Sequence, residues 1–295
     1  MSLTVFVAAM AAVCFAISSV LQHDGALRVR RRRPLDPGLM VDLARRPGWL
    51  LGTGAQATGV TLHLVAVNLG ALSLVQPVLT LGLVVALALQ KLAGRSVTPR
   101  AMLSAGLVVL GLAIFLAVMP KQAAQAPVDA EAWTPGLVLV GAMLAVTLTV
   151  GLTRAGMLRC LGLGASAGVL LATSAALGKA WGAVLGAEGL VGLAQSWQLW
   201  AALACGGAGT LLSQAAFQAG PLGGSLAAMM AIDPVVGVVL GTVVFGESFA
   251  TPATFPARCL GLAVTLVGVA LLAMALRGGQ PGTARPSTPT GVRSL

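Results

Sequence analysis

The chain alternates long apolar stretches with short polar gaps. Nine stretches are mostly apolar, at about residues 3–22, 48–68, 72–90, 100–119, 136–154, 163–186, 198–218, 222–245 and 257–276. Each is close to the ~20 residues that an α-helix needs to cross the hydrocarbon core of a bilayer. The pattern predicts an all-α, polytopic membrane protein with about nine transmembrane helices, formed by stretches 1 to 9 in chain order.

Positive residues fall on alternate gaps. Of the 18 Lys and Arg residues, 15 lie in the first, third and fifth gaps and in the C-terminal tail, whereas the gaps between hold only Lys121 and Arg258. Because positively charged loops stay in the cytoplasm, we expect the N-terminus outside and the C-terminus inside. Many Arg and few Lys residues, with abundant Ala, Gly, Leu and Val, indicate a bacterial chain and hence the inner membrane. The basic first gap also leaves room for a surface helix.

Composition excludes an ordinary soluble globule, because 57% of the residues are hydrophobic, only 9% are charged and the mean hydropathy is +0.94. The net charge of +10 lies beside the apolar stretches, where it orients the chain and attracts anionic lipid. We therefore expect a lipid bilayer and no nucleic acid as partner. The first stretch has no basic residue before it and a basic run after it, which favours a retained helix over a signal peptide.

Polar gaps divide the chain into two helical halves, an exposed linker, a connector helix and a tail. The tail is rich in Gly, Pro, Ser and Thr and is expected to be disordered. The boundaries are 1–120 for the first half, with its basic cytoplasmic loop at 23–47, 121–135 for the linker, 136–160 for the connector helix, 161–276 for the second half and 277–295 for the cytoplasmic tail.

The two halves match each other locally. Three matches occur in the same order in both, at 13–21 with 169–177, 70–73 with 220–223, and 110–113 with 267–270. Stretches 1 to 4 then correspond to stretches 6 to 9, and the charge pattern makes each run opposite to its counterpart. This predicts an inverted repeat with a substrate site near the midplane between the halves. Chance similarity among Ala, Leu, Gly and Val is the alternative.

Two segments resemble the EamA-type repeats of the drug/metabolite transporter superfamily. The first is Asn68-Leu-Gly-Ala-Leu-Ser-Leu-Val-Gln-Pro77 with the helices that follow it up to Pro120. The second runs from Gly220-Pro-Leu through Asp233-Pro234 to Glu247. With the segment from Ser18 to Gly25 and the basic loop behind it, the nine stretches look most like the branch of NIPA-type magnesium transporters. The resemblance implies secondary transport, with magnesium or another cation as the solute.

Asp233 is an acid deep inside stretch 8. It lies about eleven residues into the stretch, roughly 17 Å at ~1.5 Å per residue, near the middle of a ~30 Å core. Pro234 removes one backbone hydrogen bond, so we expect a helix hinge with exposed carbonyl oxygens. Ionisable groups are costly in hydrocarbon, and Asp233 is therefore the predicted ligand of a metal ion, a coupling ion or a cationic substrate. A structural ion pair is the alternative.

Two further ionisable residues lie at membrane depth. Lys179 is about sixteen residues into stretch 6, roughly 24 Å along it, and either pairs with Asp233 or extends to the outer surface. His63 shares one helix face with Gly52, Gln56 and Gly59, and an imidazole at that depth can carry protons. The same small and polar stripe is typical of helix contacts.

Amides and glycines complete the set of candidate residues. Neutral oxygens for a solute pathway are expected from Gln56, Gln76, Asn68 and Gln214, and Pro77 is a second expected hinge. Helix packing within the chain or in a homodimer is predicted at Gly178, Gly182, Gly186, Gly237 and Gly241. Interface anchors are expected at Trp49, Trp133, Trp197 and Trp200, and solvated acids at Glu188 and Glu247.

The sequence contains no catalytic motif. It has no nucleophile beside a base, no paired metal ligands at motif spacing and no phosphate-binding Gly loop, so we expect neither an enzyme nor a cofactor. The charge topology and the inverted repeat predict a secondary transporter of a small solute by alternating access, and the resemblance implies magnesium or another cation as that solute. The alternatives are a proton-coupled exporter of amphipathic metabolites or drugs, and a non-enzymatic scaffold or channel.

Overall fold

The structure is a computed structural model that describes residues 2–30, 33, 36–92, 98–118, 130–247 and 250–277 of the chain. Within these residues the secondary structure is helical and contains no strand, which confirms the predicted all-α class. In chain order the helices are α1 (Ser2–Leu27), α2 (Gly38–Ala44), α3 (Pro47–Leu69), α4 (Leu72–Leu79), α5 (Leu81–Leu92), α6 (Pro99–Ala117), α7 (Trp133–Thr153), α8 (Gly156–Gln195), α9 (Trp197–Ala219), α10 (Leu222–Val243) and α11 (Phe255–Arg277).

Several of these helices suit a bilayer. In the described residues, 6 are long and apolar enough to cross one, namely α1, α3, α7 with the turn before it, α8, α10 and α11. Shorter apolar helical segments lie at Pro77–Leu89 and Pro99–Phe115. The chain is therefore an all-α membrane-type protein.

Three predicted boundaries are wrong. Stretch 3 is two helices, because Pro77 has no N–H for the helical ladder and α4 ends at Leu79, where the Thr80 hydroxyl donates to the Pro77 carbonyl at 2.6 Å. α8 begins at Gly156, so residues 156–160 belong to it and not to the connector. The same helix extends to Gln195, past the predicted end of stretch 6, with a break at Gly189.

Other expectations fall on segments of which the structure describes little. Residues 121–129 of the predicted linker and residues 278–295 of the predicted tail lie outside the described part of the chain. The basic loop does contain a short helix, α2, whose Leu39 and Leu43 are buried.

Each half has its own packing partners. α1 packs on α3, α4 and α5, whereas α8 packs on α9 and α10. α6 and α11 pair across the halves through glycines that bring the two backbones together: a Cβ at Gly111 would lie 2.7 Å from the Gly261 carbonyl oxygen, and one at Gly268 would lie 2.7 Å from the Val108 nitrogen. Only residues without a side chain permit that approach.

Two tryptophans expected at the membrane interface lie in the interior instead. Trp49 is 8% exposed and Trp133 is 1% exposed. The Trp133 ring packs edge-on against Trp197 and Phe245, with ring centroids 5.6 and 5.7 Å apart. Trp197 and Trp200 are exposed, as an interface position requires.

Candidate functional site

A cavity of about 350 Å³ lies among the helices. Its walls come from both halves of the chain, mainly α1, α3, α8, α9 and α10. Most of the lining is apolar, and the polar groups are few and come from different helices. This volume is at the lower end of the ~300–1,000 Å³ that small-molecule sites occupy, so the cavity suits a small solute.

Three predicted site residues line this cavity together. Asp233 reaches it from α10, and Gln56 and His63 reach it from α3. α10 continues through Pro234, but the missing N–H of that proline leaves the Met230 carbonyl without its helical donor at the cavity wall. The sequence therefore identified one acid, one imidazole and one amide that the fold brings to the same space.

His63 offers an unused polar atom there. Its Nε2 is buried, and among the described residues it has no hydrogen-bond partner. The ring stands edge-on to Phe15, with centroids 6.0 Å apart, so an aromatic contact fixes its orientation. A solute in the cavity can supply the missing hydrogen bond.

A chain of hydrogen bonds between the halves borders the cavity, the amide network of Gln22, Gln56 and Gln214. Gln22 donates to Gln56 Oε1 at 2.7 Å, and Gln214 donates to Gln22 Oε1. The Trp49 indole N–H donates to Gln214 Oε1 at 3.1 Å, which explains why Trp49 is buried. Gln214 thus lies in the closure of the cavity and not in its lining.

Near the other end of α3 lies an ion-pair cluster made of Lys179, Glu247 and the backbone of Gly70 and Leu72. Lys179 Nζ is 2.6 Å from Glu247 Oε1 and 3.4 Å from the Gly70 carbonyl oxygen. The same Glu247 oxygen accepts the Leu72 N–H at 2.7 Å, at the start of α4. The cluster ties the second half of the chain to the first.

This cluster corrects two expectations. Lys179 pairs with Glu247 and not with Asp233, and the Glu247 side chain is only 1% exposed instead of solvated. The cause is local: Gly246 adopts a φ of 60° after α10, and the Glu247 N–H returns to the Gly241 carbonyl at 2.8 Å. That turn places the carboxylate at the N-terminus of α4, where negative charge is favoured.

Arg258, near the start of α11, is a buried cation that the sequence analysis did not single out. It is 0% exposed, and its guanidinium carbon lies 4.1 Å from the Phe115 ring centroid, within the range of a cation–π contact. The Glu247 carboxylate also attracts it electrostatically. In the sequence, Arg258 could have been noticed because it is the one positive residue near the gap between stretches 8 and 9.

The other predicted residues are not among the described residues that line the cavity. Asn68 donates to the Leu64 carbonyl at 2.8 Å, and the side chain of Gln76 lies outside the part that the structure describes. Gly178 and Gly182 face Leu64 and Asn68 of α3, whereas the space around Gly186 is open. Gly237 and Gly241 are buried in α10.

The described residues do not assemble a multidentate metal site. No three His, Cys, Asp or Glu side chains in them are close enough to hold one ion. Asp233, the predicted metal ligand, lines the cavity without a second carboxylate from any described lining residue.

The chain is similar to an uncharacterised protein of Corynebacterium glutamicum, with 28% identity over 283 residues. The match covers 95% of this chain and 96% of that protein, so it extends over both halves. No protein-family model and no solved structure matches the chain.

Proposed function

We propose that this chain is a secondary transporter that carries a small solute by alternating access, with the central cavity as its solute site. The proposal includes nine membrane-spanning helices arranged as two inverted EamA-like repeats, in a bacterial inner membrane, with the N-terminus outside and the C-terminus in the cytoplasm. The observation that carries it is a cavity lined by both halves of the chain and bordered by two contacts between the halves that the repeat would exchange.

Contacts within the halves support the repeat. A Cβ at Gly59 of α3 would lie 2.8 Å from the Phe15 ring of α1, and one at Gly209 of α9 would lie 2.9 Å from Leu171 of α8. Gly209 follows Gly59 by 150 residues, and Leu171 follows Phe15 by 156. Chance similarity of composition does not require equivalent residues to touch each other in both halves.

The connections between helices agree with this. Gly70 and Ala71 join α3 to α4 with φ and ψ of −158° and −177°, then −66° and 139°. Gly220 and Pro221 join α9 to α10 with −172° and −170°, then −66° and 146°. Two equivalent segments therefore share one backbone conformation as well as one sequence pattern.

Contacts between the halves recur in the same way. Gln214 of α9 meets Gln22 of α1 in the amide network, and Leu64 of α3 packs against Gly178 of α8. The same offsets of 150 and 156 residues convert one pair into the other. Gln22 of the first pair and Leu64 of the second also line the cavity. Alternating access requires such exchangeable closures on the two sides of one site.

The geometry along α3 agrees with closure on two sides. Trp49 contacts the amide network and Gly70 contacts the ion-pair cluster, and 21 residues separate them. At ~1.5 Å per residue this is roughly 32 Å, close to the thickness of a ~30 Å hydrocarbon core. Gln56 and His63, which line the cavity, lie between the two ends.

The lining favours an organic solute over magnesium. Magnesium requires near-octahedral oxygen coordination and releases its waters reluctantly, and the cavity offers one carboxylate among mostly apolar walls. Magnesium, which the resemblance implies, is the second candidate, with Asp233 as its ligand. In either case Asp233 and His63 are the ionisable groups available for coupling to protons.

Cysteine labelling from each side of the membrane tests alternating access without knowledge of the solute. In a variant with all four native cysteines replaced by Ala, Ser174→Cys places a thiol in the cavity wall. We expect a membrane-impermeant maleimide to label it from either side of oriented vesicles. A further variant adds Gln22→Cys and Gln214→Cys, which are oxidised to a disulfide in the amide network. That disulfide should abolish labelling from the side of the membrane on which the network lies and preserve labelling from the other side.

The two alternative functions, a scaffold and a channel, predict different results. A scaffold gives no labelling from either side. A channel conducts a permeant ion without saturation or counterflow, and a disulfide at one end blocks that current completely. Either result would contradict the carrier.

A further inference from the structure

We infer that the cavity selects small monovalent organic cations, with Asp233 as their counter-ion. The inference rests on the proposed function, because it assigns a chemical class of solute to the same site. Three features of the cavity lead to it: the sign of its charge, the chemistry of its walls and one unused hydrogen-bonding atom.

The charge of the lining has one sign unless His63 is protonated. Among the described residues that line the cavity, Asp233 is the single acid, and none is Lys or Arg. Lys179, which the sequence analysis offered as a partner of Asp233, is bound to Glu247 in the ion-pair cluster. Arg258 is held against Phe115. An anion would thus enter an apolar space that contains a carboxylate and no Lys or Arg, whereas a cation would gain a counter-ion.

The walls suit an alkylated ammonium better than a bare or hydrated metal ion. Aromatic rings come from Phe15, Trp181 and Phe217, and thioethers come from Met229 and Met230. Aromatic faces attract organic cations, and thioethers are soft, polarizable and adaptable in shape. A metal ion that exchanged its waters for these walls would lose oxygen ligands without replacement. We therefore expect a solute whose positive charge is spread over the alkyl groups of an ammonium.

One polar group of the solute also has a place. Gln56 Oε1 already accepts from Gln22 at 2.7 Å and from the Ser18 hydroxyl at 3.4 Å, so it is occupied by the protein. His63 Nε2 is buried and has no partner in the described residues, on the wall that belongs to the first half. A hydroxyl or carbonyl on the solute would satisfy it. We therefore expect a cationic head with one hydrogen-bonding group.

Three probes of nearly equal shape isolate the effect of charge. Choline is a cation, 3,3-dimethylbutan-1-ol is its neutral carbon analogue, and 3,3-dimethylbutanoate is an anion. Binding to purified protein is followed by the fluorescence of Trp181, with Trp181→Phe as the reference that removes the signal from the cavity. We expect choline to bind at least tenfold more tightly than the alcohol, and the anion not to bind.

Variants test the role of Asp233. Asp233→Asn should abolish the difference between choline and the alcohol, and Asp233→Glu should preserve it. Glu188→Gln, an exposed acid on the same chain, is the control and should leave binding unchanged. Retention of the wild-type elution volume and of the alcohol affinity shows that Asp233→Asn has folded, and the conservative Asp233→Glu variant carries the test if it has not.

Several outcomes would overturn the inference. They are an alcohol that binds as tightly as choline, no choline binding at 10 mM or below as an order-of-magnitude ceiling for a weak site, or a choline preference that persists in a folded Asp233→Asn variant. Failure of the labelling experiment with charge selectivity intact would remove the transport function and leave the cation site. Labelling from both sides without charge selectivity would support the transport function and remove the cation site.

Discussion

Replacement of Glu247 by Gln removes the negative charge from the ion-pair cluster and leaves the Lys179 ammonium in the interior. An amide oxygen can still accept the Leu72 N–H, so that hydrogen bond survives. The ammonium, on a side chain only 14% exposed, then retains the Gly70 carbonyl and the Phe245 ring, whose centroid is 4.9 Å from Nζ. The substitution therefore isolates the cost of one uncompensated charge at the junction of the halves.

The size of the effect follows from burial. Removal of one partner of a buried pair costs about 3–5 kcal/mol, and the slight exposure of Lys179 places this case near ~3 kcal/mol. At about 2 °C per kcal/mol for a chain of this order of size, the melting temperature should fall by ~6 °C. The double variant Lys179→Met with Glu247→Gln contains no unpaired charge and should recover most of that loss.

Thermal unfolding in detergent, followed by intrinsic fluorescence, measures all three proteins under one condition. Glu188→Gln is the matched control, because it neutralises an exposed acid, and its melting temperature should not change. An unchanged melting temperature for Glu247→Gln would refute the argument from burial. A double variant less stable than the single one would show that the remaining contacts of Lys179 matter more than its charge.

Three other substitutions have expected outcomes in the same unfolding assay. Gly111→Ala places a Cβ 2.7 Å from a backbone carbonyl oxygen of α11 and should destabilise the chain by about 1–3 kcal/mol. Gly106→Ala, on the same helix but in open space, should be neutral or stabilising by up to ~1 kcal/mol. Equal effects would contradict the close helix contact. Arg258→Met removes a fully buried cation and its cation–π contact and should lower the melting temperature, whereas the exposed Arg100→Met should not. Trp49→Phe removes one donor from the amide network and should cost ~1 kcal/mol; a loss several times larger would mean that the ring, and not its N–H, holds that end closed.

Hydropathy was enough to predict an all-α chain with several long apolar helices, because burial in lipid requires the same long apolar run whatever the tertiary contacts. The break between α4 and α5 was readable only in part: Pro77 was expected to act as a hinge, but the end of the helix two residues later depends on the Thr80 hydroxyl, which caps the Pro77 carbonyl. A Thr hydroxyl near a helix end is visible in the sequence, but many other Ser and Thr residues in the chain could act in the same way.

Pairing of the buried charges was not predictable from spacing. Lys179 and Glu247 are 68 residues apart, and their contact depends on a tight turn at Gly246 and on the start of α4, which belongs to the other half. The sequence analysis placed Lys179 by its depth along a helix, and on that measure Asp233 was the expected partner. Depth alone takes no account of turns such as the one at Gly246. Asp233, Gln56 and His63, which the sequence predicted for a solute or coupling-ion pathway, line one cavity. They could be singled out because each is a polar residue on a long apolar helix, where lipid gives it no partner.

The pairing of α6 with α11 also sets an order of assembly. α6 ends at Ala117 and its partner begins only at Phe255, so the ribosome completes α7 to α10 before the two glycine faces can meet. Until then Gly111 and its neighbours face lipid or another helix, and the Arg258 guanidinium has no Phe115 ring to cover it if α11 enters the bilayer alone. α11 thus depends on α6 to cover its buried cation, and a chain stopped before α11 would leave α6 without the surface to which its glycines are fitted.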